Sequence, residues 1–197
     1  MPRTAILIVL LSQAFAQATV DGAATQTGVT RPSDSVILAS LNALKSEAAD
    51  LKSVVKIIKD ALNYDVDVGG DEQLMQELSQ LQDEAGNLLV HAATVKNHAK
   101  DAIRQLQNGA PSYSTILRSI LDLKSEAGVF QIQATTTKDA IFALINQMKT
   151  QGNPGHALNG LLQIQVEADQ MLSQEATVQK HAEDIIRQLQ GQSPLAG

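Results

Sequence analysis

The sequence predicts an all-α protein, an antiparallel four-helix bundle built from two repeated long αα-hairpins. The first observation is an internal repeat: residues 45–48 recur at 124–127, and residues 98–107 recur with two changes at 181–190. The second is the spacing of apolar residues, which alternates between four and three in four segments and is typical of helices that share a buried seam. The third is the short connections between these segments, which force successive helices to run antiparallel.

The first helix is predicted from an unbroken seam that runs from Ile37 to Leu62. Ser33 or Asp34 is suited to cap its first amides. Residues 64–70 end this helix, and the two glycines at the end of the segment permit a sharp reversal.

The second helix is predicted to begin at Asp71, which is a good N-cap residue, and its seam runs from Leu74 to Leu106. Residues 108–109, an Asn-Gly pair, suit a left-handed C-terminal cap. Pro111 prevents the helix from continuing.

The third helix is predicted to open at Ser112 or Ser114, and its seam runs from Ile116 to Met148. Residues 152–155 contain two glycines and a proline and predict the second reversal.

The fourth seam runs from Ala157 to Leu189, and its helix is predicted to end at Gly191. Beside the seam, the second and fourth helices carry apolar residues at a third heptad position, which widens the buried stripe beyond what a paired coiled coil needs. These residues are Met75, Leu89, Ile103, Leu158, Leu172 and Ile186. The wide stripe predicts that both repeats, at about residues 34–111 and 112–194, pack together as one domain over residues 34–191.

The N-terminus has the layout of a secretory signal peptide. Residues 1–18 contain Arg3, a short apolar run and two overlapping small-x-small sites, so cleavage is expected after Ala16 or Ala18. Residues 19–33 are rich in Thr, Ala and Gly and are interpreted as a flexible arm, and residues 192–197 as a C-terminal tail. A secreted, extracellular protein is therefore expected.

Composition disfavours several classes of function. The formal net charge is −6, which argues against a nucleic-acid partner, because phosphates demand a basic face. The chain has no cysteine and no tryptophan, so thiolate chemistry and cysteine-based metal sites are excluded and aromatic stacking platforms are disfavoured. No cofactor is predicted.

Two repeat-equivalent histidines are candidates for proton chemistry. His98 and His181 each precede an aspartate by three residues, Asp101 and Asp184. The pattern allows a proton-transfer dyad or a metal ligand set, but we favour a local ion pair beside the seam, because a duplicated bundle also repeats its scaffolding.

A row of potential metal ligands lies on one edge of the second helix. Glu77, Glu84, His91 and His98 are spaced by seven residues. Residues seven apart lie about 10 Å apart along a helix, too far to share one ion. No Glu-x-x-His pair occurs, and such pairs supply the metal sites of helical bundles. We therefore predict no metal site.

Glu175 is the exception in the fourth seam, at the position where the first repeat has Ala92. A buried unpaired carboxylate is costly, so the side chain is expected to be paired, protonated or exposed near an edge. Glu175 is the candidate ligand-binding residue. The alternative is a polar residue that only fixes the register of the helices.

These observations favour a secreted, non-enzymatic helical bundle that acts as an extracellular binding or structural module, with an extracellular protein or matrix as partner. The alternative is a carrier or surfactant whose amphipathic bundle opens on lipid or another apolar ligand. Lys45, Lys52 and Lys59, which flank one seam, resemble the basic border of lipid-seeking helices.

Overall fold

The protein is an all-α four-helix bundle. A computed structural model describes residues 32–64, 66, 71–108, 113–151 and 155–191. The helices are α1 (Asp34–Tyr64), α2 (Glu72–Gln107), α3 (Tyr113–Thr150) and α4 (His156–Leu189). The predicted signal peptide with its cleavage sites, nearly all of the predicted arm and the tail lie outside the described residues.

Each helix packs against two neighbours. The contacts join α1 to α2, α2 to α3, α3 to α4 and α1 to α4, so α1 and α3 occupy one diagonal and α2 and α4 the other. We call the α1–α2 pair hairpin 1 and the α3–α4 pair hairpin 2. Their first helices begin 79 residues apart, at Asp34 and Tyr113, which matches the repeat. The Tyr113 hydroxyl donates to Asp34 Oδ1 and joins these two helix starts.

The core consists of the four predicted seams. Every seam residue from Ile37 to Leu189 is buried, including Thr137 and Glu175 in hairpin 2. Phe130 is the largest of the fully buried side chains. The heptad spacing is confirmed, because apolar residues spaced by four and three lie on one side of a helix and can be buried together.

The helix ends follow the predicted signals in part. Asp71 caps α2, because its Oδ1 accepts from the amides of Gln73 at 3.0 Å and Leu74 at 3.1 Å. Gly191 ends α4 with a φ of 74°, the left-handed conformation that glycine adopts without penalty. Asn108 is the C-cap of α2, with a φ of −79°. The left-handed cap predicted for residues 108–109 depends on Gly109, the residue after the C-cap; Gly109 lies outside the described residues, so this cap stays a prediction.

The widened stripe is less uniform than predicted. Ile103 is buried and Leu158 packs against the core, but Met75 is 45% exposed. The reason is the length of α1. Gln82 donates to the carbonyl of Leu62 at 3.0 Å, and Met75 lies a further two turns beyond this contact, past the end of α1. In hairpin 2, α3 has 38 residues against 31 in α1, so it covers the corresponding Leu158.

Candidate functional site

Glu175 lies in the interior of the bundle. Its side chain is 0% exposed, and the neighbouring seam residues on α4, Met171 and Val178, are buried as well. Gln179, one turn further along α4, donates through Nε2 to Glu175 Oε1 and to Gln131 Oε1 on α3, the latter at 3.3 Å. Glu175 Oε2 has no hydrogen-bond partner among the described residues. The carboxylate is therefore paired on one side only.

Burial changes the chemistry of this group. Loss of water raises the pKa of the Glu175 carboxyl above its ordinary value of 4.5, and the hydrogen bond from Gln179 opposes part of that rise. A carboxyl in this environment can hold a proton at higher pH than an exposed one, or accept one hydrogen bond from a polar group placed beside Oε2. That such a group belongs to a bound ligand stays a prediction.

His98 and Asp101 do not form the predicted pair. Asp101 pairs instead with Arg104, whose Nη1 lies 3.1 Å from Asp101 Oδ1. His181 reaches across to α1, where its Nδ1 lies 2.7 Å from Glu47 Oε2. Burial raises the pKa of Glu47, while the charge of His181 acts in the opposite direction. The ion pair of His181 with Glu47 therefore joins two helices.

The row of potential metal ligands on α2, which runs from Glu77 to His98, faces α3. His91 Nδ1 lies 2.5 Å from Glu126 Oε1, and Glu84 Oε2 accepts from Thr137 Oγ1 at 3.3 Å. Among the described residues, no three His, Asp or Glu side chains lie close enough together to hold a metal ion. The row thus joins α2 to α3 through separate pairwise contacts.

Four surface grooves run between neighbouring helices. One of about 210 Å³ lies between α2 and α3, and a second of about 190 Å³ adjoins it through the shared Glu84. A groove of about 220 Å³ lies beside His181 between α1 and α4, and one of about 240 Å³ beside Lys124 between α3 and α4. Glu175 lines none of these four, so they offer no direct route to the candidate residue.

Apolar side chains are exposed on the outer side of hairpin 2. Phe142 on α3 is 51% exposed, and Leu162 and Val166 on α4 are 36% and 60% exposed. The ion pair between Lys138 Nζ and Asp169 Oδ1, at 2.5 Å, fixes the register here. Phe142 follows Lys138 by one turn, and Val166 and Leu162 precede Asp169 by one and two turns. The three side chains therefore lie at similar heights on one side of the hairpin, and we call them the apolar patch.

The apolar patch could not be predicted from the seams, because Phe142, Leu162 and Val166 lie outside both the seam and the third heptad position. A signal was present in the repeat. The residues that correspond to Phe142, Leu162 and Val166 in hairpin 1 are polar, namely Asn63, Ser79 and Asp83. Hairpin 2 is therefore apolar at three outer positions where hairpin 1 is polar.

Comparisons with known proteins give no further guide to the site. No protein family, no curated protein and no solved structure matches the chain. Within the part of the chain that the structure describes, no helix combines the length and the apolar character needed to cross a bilayer.

Proposed function

We propose that the protein is a secreted, non-enzymatic interaction module that docks an extracellular protein or matrix component on the apolar patch. The exposure of Phe142, Leu162 and Val166 together on one hairpin is the observation that carries this proposal. Isolated exposed apolar residues are normal on a soluble protein, but a group of large ones on one face is typical of an interaction site. The secretory layout of residues 1–18 supports an extracellular partner.

The surroundings of the patch also support docking on an intact bundle. Ile145, one turn from Phe142, is 1% exposed and belongs to the core, and Leu158 packs against that core. A partner would therefore meet apolar side chains held on two rigid helices. Binding to a preformed surface loses less conformational entropy than binding that orders a loop.

Catalysis is not part of the proposal. Within the described residues, the hydrogen-bond partner of the buried Glu175 is the amide of Gln179, which cannot act as a nucleophile or a base. Glu47 and Glu126 are paired with histidines of neighbouring helices, on the α1–α4 and α2–α3 faces of the bundle and away from the apolar patch.

The repeat supplies a direct test. The variant Phe142→Asn/Leu162→Ser/Val166→Asp gives hairpin 2 the residues of hairpin 1. We expect wild type to be retained on phenyl-agarose at a temperature where it is fully folded, and the variant to pass through. Because the replaced side chains are partly exposed, both should melt at similar temperatures. The matched control is Val90→Asp, which removes an exposed apolar side chain from α2. Equal retention of wild type and triple variant would refute a docking role for the patch.

A carrier or surfactant is the second candidate, and the one-sided pairing of Glu175 favours it. An unpartnered buried oxygen is a place where a polar head of an apolar ligand would gain a hydrogen bond. The two candidates differ in whether the bundle opens. Hydrogen exchange on phosphatidylcholine vesicles separates them: a carrier that opens loses amide protection around Glu175 when it binds, whereas a docking module keeps it. Secretion itself is tested by N-terminal sequencing, which should begin at Gln17 or Thr19.

A further inference from the structure

The face of hairpin 1 opposite the apolar patch carries lysines that lack acidic partners. With the seam residues written as heptad positions a and d, this face consists of positions e and b of α1 and α2. Its acidic residue is Glu72, the first residue of α2, which lies beyond the end of α1. Five lysines on it form no ion pair or hydrogen bond among the described residues. We call them the lysine row: Lys45, Lys52, Lys59, Lys96 and Lys100.

Hairpin 2 shows what the same positions look like when they are neutralised. Lys124 Nζ lies 2.7 Å from Glu183 Oε1, and Lys138 is paired with Asp169. By the repeat, Lys124 corresponds to Lys45 and Glu183 to Lys100. The place of the acidic partner, Glu183, is therefore taken by Lys100 in hairpin 1. As a result, two positive charges, those of Lys45 and Lys100, occupy the corresponding positions.

The second ion pair of hairpin 2, between Lys138 and Asp169, is absent from hairpin 1 for a different reason. Lys59 corresponds to Lys138, and Gly86 stands at the place of Asp169. The side chain of Lys59 still extends to α2, because a Cβ built on Gly86 would lie 3.8 Å from Lys59 Nζ. Between these two sites along α1, Lys52 stands where hairpin 2 has Gln131. Each of these three differences, at residues 52, 86 and 100, makes the face of hairpin 1 more positive than the same face of hairpin 2.

The adjacent faces have the opposite character. Positions g and c of the four helices, which form the α2–α3 and α1–α4 faces, contain no Lys or Arg. They carry acidic residues: Glu47, Asp50, Glu77, Glu84, Asp101, Asp122, Glu126, Glu167 and Asp184. The lysine row is therefore a narrow positive band bordered by negative charge, on a chain whose formal net charge is −6.

We propose that the lysine row binds a linear sulfated polysaccharide. Lys45, Lys52 and Lys59 lie along one line about 21 Å long, since they are seven residues apart on a helix that rises about 1.5 Å per residue. A narrow band fits one polyanionic chain laid along the helix pair, because a wider anion would overlap the acidic borders. Lysine ammonium groups bind sulfate as point charges and tolerate variation in sulfate spacing.

Other polyanions fit less well. An anionic membrane would need several apolar side chains that insert beside the lysines. At positions e and b of α1 and α2 the exposed large apolar side chain is Met75, which lies past the end of α1, and the apolar patch lies on hairpin 2. A single-stranded nucleic acid would need aromatic stacking surfaces, and positions e and b of α1 and α2 contain no aromatic residue. The proposal does not depend on the apolar patch, so it can fail or succeed separately from the docking function.

The test uses heparin as the probe and the full-length protein. The variant Gly86→Asp/Lys100→Glu gives hairpin 1 the two acidic partners of hairpin 2. Wild type should bind heparin in a salt-dependent manner, and the variant roughly tenfold more weakly, because the number of displaced counterions falls with the neutralised lysines. Lys52→Gln, a milder change with the residue of hairpin 2, should weaken binding less. The control Asn159→Asp/Lys180→Glu has the same change in net charge outside the row and should bind as wild type does.

A gain-of-binding variant completes the test. Asp169→Asn/Glu183→Gln releases Lys138 and Lys124 and should strengthen heparin binding. The proposal is overturned if wild type does not bind heparin at low salt, or if the row variant and the control weaken binding equally. It is also overturned if phosphatidylserine vesicles are bound in preference to heparin.

Discussion

At corresponding places in the two hairpins, a lysine meets Gly86 in one and Asp169 in the other. The same contrast recurs at the apolar patch, where Phe142 stands in place of Asn63. The seams, however, are buried in all four helices. Because both hairpins fill one shared core, the seam residues have kept their apolar character at all positions except Thr137 and Glu175 in hairpin 2, while more of the outer residues differ. The outer differences are therefore the better guide to function.

The interior also differs between the hairpins. The buried polar residues of the described chain are Ser119, Thr137 and Glu175, and all three belong to hairpin 2. Thr137 corresponds to Ile58 and Glu175 to Ala92, both apolar in hairpin 1. Hairpin 1 thus contributes a more apolar half of the core, and hairpin 2 contributes the buried polar groups.

The largest expected effect tests whether the two hairpins unfold as one unit. Leu88 and its repeat counterpart Met171 are both 0% exposed. Leu88→Ala and Met171→Ala should each lower the free energy of unfolding by about 2–5 kcal/mol, and Leu88→Asp by more, because it buries an unpaired carboxylate. Thermal unfolding followed by circular dichroism should show one transition in each variant.

A surface substitution serves as the control for that prediction. Val90, 64% exposed and two residues from Leu88, should tolerate alanine with a change below about 0.5 kcal/mol. Two separate transitions in Met171→Ala, one of them at the melting temperature of wild type, would show that the hairpins unfold independently.

A smaller, pH-dependent effect is expected at Glu175. The unfolded carboxyl titrates near 4.5, and burial raises its pKa in the folded protein. Between these two values the folded state binds more protons than the unfolded state, so the free energy of unfolding falls as pH rises through this window. Glu175→Ala, which restores the residue type of Ala92, removes that loss. At pH 7 the variant should be as stable as wild type or more stable, whereas below pH 4.5 it should have no advantage.

Urea titrations at several pH values measure this effect. Glu175→Gln is the matched control, because it keeps the size of the side chain without its charge and should also lose the pH dependence. A decrease of stability at pH 7 in both variants would mean that the carboxylate is stabilised by a group other than Gln179, and would strengthen the case for a bound ligand.

The sequence allowed the seams to be predicted but not the contacts between helices. The spacing from Ile37 to Leu62 identifies one side of a helix without reference to its neighbours. The partner of a flanking residue depends on the rotation and register of two helices. Repeat symmetry would pair Glu126 with His98, as it pairs Glu47 with His181, but Glu126 contacts His91. His91 is available only in hairpin 1, because its counterpart in α4 is Gln174.

The position of Glu175 could be predicted in the same way, and its partner in part. Its place in the seam follows from the heptad spacing, and Gln179 lies one turn away on the same helix, where side chains can touch. The second acceptor of the Gln179 amide, Gln131 on α3, could not be derived, because it depends on how α3 and α4 are aligned.

The smallest expected effect is the most direct test of the contrast between the hairpins. Gly86→Asp places in hairpin 1 the residue type that pairs with Lys138 in hairpin 2. The new Cβ would meet Lys59 Nζ at 3.8 Å, an ordinary contact, so the side chain fits. Aspartate has a higher helix propensity than glycine, and an exposed ion pair adds about 0.2–1 kcal/mol. We therefore expect a stabilisation of about 0.5–1 kcal/mol at low salt that decreases as salt is added.

Gly86→Asn gains the helix propensity without the charge, so the difference between the two variants measures the ion pair alone. If the two variants are equally stable at low salt, Lys59 does not pair with an aspartate at position 86, and the contrast between Gly86 and Asp169 does not explain why the α1–α2 face lacks the ion pair of hairpin 2.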